Sequence, residues 1–110
     1  MPKKPFHIYP GSVRETESFG QRLRDARLRR RFSMETVCIR ADISRPTLYK
    51  IEKGDPSVAF GHYLQVMRVL GLLGDLAQVA KEDELGRRLQ DESLPQRKRA
   101  PRKTTLQDKA

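Results

Sequence analysis

Apolar residues recur at helical spacing along this chain, and they concentrate between Phe19 and Leu89. Phe19, Leu23 and Ala26 fall at i, i+4 and i+7, one face of a helix starting near Ser18, with Arg22, Arg24, Arg29, Arg30 and Arg31 largely on other faces. Ser33 predicts an N-cap for a short second helix, Met34 to about Ala41, with Val37, Cys38 and Ala41 inward. Asp42 sits where the chain must turn, and aspartate tolerates the left-handed conformation better than most residues. Ser44 is the next N-cap, and Pro46 falls in a first turn, where its missing N–H does no harm. Leu48 and Ile51 are the inward pair of this third helix, which Gly54 stops ahead of Asp55-Pro56. A fourth helix is predicted from about Ala59 to Leu70, with Phe60, Leu64, Met67 and Leu70 on one stripe. Gly71 and Gly74 bracket a break, and Leu76, Val79 and Ala80 suggest a fifth, shorter helix. Glu82-Asp83-Glu84 opens a sixth, acids first and Arg87-Arg88 later as the helix dipole favours, with Leu85 and Leu89 as its apolar face and Leu94-Pro95 as its end.

These elements predict an all-α chain: a compact five-helix domain with an extra C-terminal helix and basic tails. Helices two and three are too short to stand alone, so helices one, four and five must cover their apolar sides. The expected organisation is a flexible arm over 1–16, where three prolines and a glycine interrupt any period; a domain over 17–81; a helix over 82–95; and a basic, disordered tail over 96–110.

Charge refines the picture. The net charge of +9 makes polyanions the first partners to consider. Residues 1–31 hold nine Lys/Arg against three Asp/Glu, and residues 96–110 hold six against one. Residues 55–95 reverse the balance, four against seven, which suggests a nucleic-acid face and a separate face for another partner. No apolar run approaches a membrane span, and Met1 to Pro10 does not read as a signal peptide. Cys38, the single cysteine, cannot form an internal disulfide, and metal-ligand spacing is absent, so no cofactor or metal is expected and a reduced cytoplasm fits. His7, His62, Ser44 and Ser57 lack the partners of a catalytic relay, so the chain does not read as an enzyme.

The stretch Ser33–Gly54 (SMETVCIRADISRPTLYKIEKG), preceded by Phe19–Arg27 (FGQRLRDAR), resembles the lambda-repressor-like, xenobiotic-response-element family of helix-turn-helix proteins, over residues 18 to about 80. The resemblance implies that the third helix enters the major groove of double-stranded operator DNA. The residue types suit that role: Arg45, Thr47, Tyr49 and Lys50 are outward on the third helix, and Leu48 and Ile51 are inward. Arg45 can make two hydrogen bonds to a guanine edge, worth roughly 1–3 kcal/mol of discrimination. Lys50 can reach a base or a phosphate, Thr47 a phosphate or a thymine methyl, and Tyr49 either rims the interface or touches DNA. Ser44 caps and touches the backbone, and Ser33 sits where the second helix points its free N–H groups at a phosphate. Arg31, with Arg29 and Arg30, is either phosphate-facing or simply solvated. Family resemblance further implies that Arg27 and Glu52 form a structural salt bridge between helices one and three. Two positions depart from the pattern: Met34 stands where the family often has a phosphate-clamping glutamine, and Asp42 where it often has glycine.

The segment from Gly54 to Leu72, the acidic sixth helix and the closing Leu94-Pro95-Gln96-Arg97 are similar to the HipB-type antitoxins. That resemblance implies a homodimer that represses its own operon and restrains a HipA-like kinase toxin. Dimerisation also follows from geometry, because one recognition helix spans only a few base pairs. Leu72, Leu73, Leu76 and Val79 either form the two-fold interface or complete the monomer core. The basic tail reads as a DNA arm, a toxin-ordered segment or a solvated end. Two alternatives stand beside the antitoxin: a stand-alone or phage-type regulator, and a protein-interaction module that has lost DNA binding, which Met34 keeps open.

Overall fold

The computed structural model describes residues 7–93, all helical or irregular, with no strand among them. The elements are α1 (Pro10–Arg29), α2 (Met34–Ala41), α3 (Arg45–Glu52), α4 (Phe60–Leu70), a 3-10 helix (Leu73–Gln78) and α5 (Glu84–Ser93). Residues 1–6 of the expected arm and the tail over 96–110 lie outside the described residues. Among the described residues, no helix is long and apolar enough to cross a membrane.

The first helix corrects one expectation. It begins at Pro10, so residues 10–16, expected as arm, form its first turns. Proline fits there because the first helical N–H would be unpaired anyway. The Val13 N–H donates to Tyr9 O (2.9 Å), and the Thr16 hydroxyl donates to Val13 O (2.9 Å), so this end is helical without a buried apolar face.

The core is built from one face of each of the first four helices: Leu23 and Ala26 of α1, Val37 and Ala41 of α2, Leu48 and Ile51 of α3, and Tyr63, Val66, Met67 and Leu70 of α4. α1 packs on α3 and α4, and α2 packs on the same two helices. Phe19, Phe32, Met34, Cys38, Ile43, Val58, Leu64 and Leu72 press against this cluster half-buried. Burial pushes the Cys38 thiol up from its ordinary pKa.

In α4 the buried stripe is rotated from the one expected. Phe60 is 61% exposed, whereas Tyr63 is 6% exposed and lies in the core. A tyrosine can take that place because its polar tip finds a partner. Its ring stacks on Phe19 with centroids 5.6 Å apart, and its hydroxyl donates to Asp55 O (2.6 Å).

Beyond Gly71, the left-handed residue that ends α4, the expected fifth α-helix is a 3-10 helix with no buried residue. Tighter 3-10 turns occur in short pieces and as connectors, and this six-residue one follows α4 in the chain ahead of α5. Leu72 packs on the core and Leu76 is half-buried, whereas Leu73 and Val79 are exposed. The chain divides into two compact units after Ala77. The second carries α5, which starts at Glu84 because Asp83 is left-handed (φ 40°) and its carboxylate accepts from Gly86 N (3.2 Å). None of the α5 residues is buried, and Leu85 and Leu89 are exposed.

Candidate nucleic-acid interface

α2 and α3 are eight residues each, joined by the turn Asp42-Ile43-Ser44. Asp42 takes the left-handed conformation (φ 57°, ψ 50°) in which glycine is easiest and aspartate is tolerated. The chain then folds back so that Ile43 N donates to Cys38 O (3.1 Å). α4 closes the other open carbonyls of α2: Arg68 Nη2 donates to Arg40 O (2.9 Å) and Gln65 Nε2 to Ala41 O (3.4 Å). The angle of the turn is thus held from outside the motif.

Both helices of the motif are capped in the same way, by Ser-x-x-Thr. Ser33 Oγ accepts from Thr36 N (3.0 Å) and donates to Thr36 Oγ1 (3.0 Å). Ser44 Oγ accepts from Thr47 N (3.2 Å) and donates to Thr47 Oγ1 (2.9 Å). In each cap the two hydroxyls are paired with one another, and the serine oxygen also takes the backbone N–H. Ser44 therefore acts as the cap of α3, with the Thr47 hydroxyl beside it in the first turn.

α3 is sharply two-sided. Leu48 and Ile51 are fully buried, Thr47 is half-buried, and Arg45, Pro46, Tyr49 and Lys50 are exposed. Tyr49 lies under the Lys53 ammonium, 5.1 Å from the ring centre. Met34 and Tyr49 line one cleft, so the N-terminus of α2 stands beside the exposed side of α3. Of the arginine run, Arg30 Nη1 folds back on Ala26 O (2.9 Å), capping its own helix. Arg29 and Arg31 remain exposed, and Arg31 takes the left-handed conformation (φ 56°).

Behind this face lies a buried bracket. Arg27 Nε donates to Glu52 Oε2 (2.6 Å) and Arg27 Nη2 to Glu52 Oε1 (3.0 Å), with side-chain exposures of 9% and 8%. The third donor, Arg27 Nη1, goes to Phe32 O (3.0 Å), and Phe32 N donates back to Arg27 O (3.1 Å). One guanidinium thereby joins α1, α3 and the turn into α2, and its bonds are spent inside the protein.

Two further ties were not read from the sequence. Gly20 on α1 and Gly54 after α3 meet backbone to backbone: a Cβ on Gly20 would lie 2.6 Å from Ile51 O and 2.8 Å from Gly54 Cα. Gly54 itself is left-handed (φ 74°), and a Cβ there would run into the Thr16 carbonyl. The second tie is the loop after α3. Asp55 accepts from Ser57 N (2.8 Å) and Ser57 Oγ (2.7 Å), and these bonds hold its carboxyl below the usual range. Burial, with the Asp55 charge nearby, pushes the Tyr63 hydroxyl up to about 12. The signals for these ties were present in Gly20 and in Asp55-Pro56-Ser57, but their partners are remote in sequence.

The predicted DNA residues Ser33, Ser44, Arg45, Tyr49, Lys50 and Arg31 are all exposed and Thr47 half-buried, on the motif or at its entrance. Of the quartet, Leu72 packs on the monomer core, Leu76 is half-buried, Leu73 is exposed, and Val79, in the second unit, is exposed. Comparison with protein families matches residues 18–80, more than half of the chain, to the helix-turn-helix domain. No curated protein and no solved structure matches the chain.

Proposed function

Because the chain belongs to the helix-turn-helix domain family, we propose that it is a sequence-specific transcriptional repressor of the lambda-repressor-like kind, working in the cytoplasm on an operator in double-stranded DNA. The observation that carries this reading is the two-sided α3. An eight-residue helix with Leu48 and Ile51 fully buried and Ser44 as its cap presents Arg45, Tyr49 and Lys50 outward. Arg45 reads a guanine edge, and Thr47 and Lys50 meet the strand beside it. Ser33 and Arg31 lie at the entrance to α2, where phosphates are met. Arg27 and Glu52 orient the helix without touching DNA.

Within that reading the protein is a homodimer, and it acts as the antitoxin of a HipA-like kinase, repressing the operon that encodes both. Support for a protein partner comes from α5, whose Leu85 and Leu89 are exposed on a ten-residue helix too short to persist unaided. Leu73 and Leu76 remain available for a two-fold contact.

Gel-shift titration on the promoter of the protein's own gene tests the repressor reading. Wild type is expected to prefer that DNA over unrelated duplex, and Arg45→Ala to lose the preference. Equal, unselective binding by both proteins refutes it. A neighbouring reading frame without kinase character refutes the antitoxin assignment and leaves a stand-alone regulator.

A further inference from the structure

An open cleft of about 630 Å³ runs between α1 and α3, with Arg24, Arg27, Tyr49, Glu52 and Lys53 among its walls. Its charges do not cancel evenly. Arg27 and Glu52 neutralise one another through their paired hydrogen bonds. Arg24 is exposed, and among the described residues its side chain has no hydrogen-bond or ion-pair partner. The Lys53 side chain is exposed and, among the described residues, rests only on the Tyr49 ring. Two unpaired cations from different elements thus flank one opening, against a single uncompensated carboxylate, Glu17.

The position of the cleft identifies what fills it. Lys53 follows Arg45 by eight residues, about 12 Å along a helix at 1.5 Å per residue. The major groove is itself about 12 Å wide. With Arg45 at a base edge, the far end of α3 therefore lies at the wall of the groove, where the sugar–phosphate strand runs. Met34, also in the cleft, offers no donor, so its positive charge for an anion comes from the two cations, with Gln21 and Tyr49 as neutral donors beside them.

We propose that this cleft seats a backbone phosphate of the bound DNA, gripped between Arg24 of α1 and Lys53 at the end of α3. The inference rests on the DNA-binding reading and adds to it two residues whose contribution is independent of sequence. It assigns Tyr49 a positioning role, holding the Lys53 ammonium at the rim.

The test is fluorescence anisotropy of the full chain on its operator and on an unrelated duplex, over a series of salt concentrations. Each phosphate contact contributes about 0.9 to the slope of log K against log salt. Arg24→Gln/Lys53→Gln is expected to weaken binding by the same factor on both duplexes and to lower the slope by about 1, the share of the one phosphate seated. Arg24→Lys/Lys53→Arg should retain the slope, and Glu17→Gln should tighten binding to both duplexes. Arg24, Lys53 and Glu17 are exposed, so the thermal midpoint should stay near that of wild type. An unchanged slope in the double glutamine variant, with operator preference intact, overturns the phosphate seat alone. Failure of the wild-type chain to bind either duplex overturns the DNA-binding reading and the seat with it.

Discussion

Replacing Arg27 by methionine keeps most of the side chain's bulk and removes its charge, which isolates the electrostatic bracket. The Glu52 carboxylate, with 8% of its side chain exposed, would be left without a cation, and Phe32 O would lose its side-chain donor. Removing one partner of a buried pair typically costs about 3–5 kcal/mol. Against a total stability of about 5–15 kcal/mol, that is a large share of what holds a domain of this size. At about 4–8 °C per kcal/mol for a small domain, the midpoint should fall by at least ~12 °C. Urea unfolding followed by far-UV circular dichroism at neutral pH measures the loss. The control is Arg27→Met/Glu52→Leu, which removes both charges; apolar replacement of a buried pair is often neutral or stabilising, so the double variant should recover most of the loss. A single-variant cost below about 1 kcal/mol, the range of exposed pairs, would refute the reasoning. So would a double variant no more stable than the single.

Gly20→Ala should destabilise by about 1–3 kcal/mol or more, because the new Cβ meets Ile51 O and the Gly54 backbone. Helix propensity alone predicts a gain of about 1 kcal/mol, so the sign of the change in a urea titration decides between the two effects. Ser44→Ala should cost about 1 kcal/mol and fray the first turn of α3, and Ser44→Asp should restore the cap; equal stability of all three proteins would deny Ser44 that role. Tyr63, held up to about 12 when folded against about 10 when unfolded, keeps its proton longer in the native state. Its contribution is therefore complete below about pH 10 and is lost as pH rises toward about 12. Tyr63→Phe should lose about 1 kcal/mol at neutral pH and show a shallower alkaline decline, and an identical decline in both proteins would contradict the assignment.

The motif was legible because its determinants are local. Ser33 and Ser44 cap their helices by bonding an N–H three residues downstream, Asp42 supplies its own left-handed conformation, and Leu48 and Ile51 repeat at a spacing the helix dictates. The misread stripe of α4 was decided by partners far along the chain. Phe60 outranks Tyr63 on hydrophobicity, and only the Asp55 carbonyl and the Phe19 ring make Tyr63 the better core residue. Residues 10–16 read as arm because their prolines and glycine break any period, yet Pro10 stands at a helix start, where it is harmless. Gly20 was in view but its role was not, since its significance is the absence of a side chain opposite Gly54, remote in sequence. The cleft between α1 and α3 was hidden for a related reason: Arg24 and Lys53 are unremarkable charges until two helices set them at one opening.

An eight-residue helix has little stability of its own, so the direction in which α3 points is a property of its surroundings. Two ties set that direction, Glu52 bonded to Arg27 in its last turn and Gly54 pressed on α1 just beyond its end, while the Ser44 cap fixes where the helix begins. The loop that follows is fastened in turn by Tyr63 to Asp55. None of these groups needs to reach a base for base reading to depend on it. A bidentate contact from Arg45 to guanine demands a fixed approach, whereas attraction between a cation and a phosphate tolerates movement. If α3 reads bases as proposed, loosening a tie erodes the preference for one sequence before it erodes affinity for DNA in general. On that reading the core of this small domain is part of the reading apparatus, and the exposed residues of α3 carry the chemistry that the buried bracket aims.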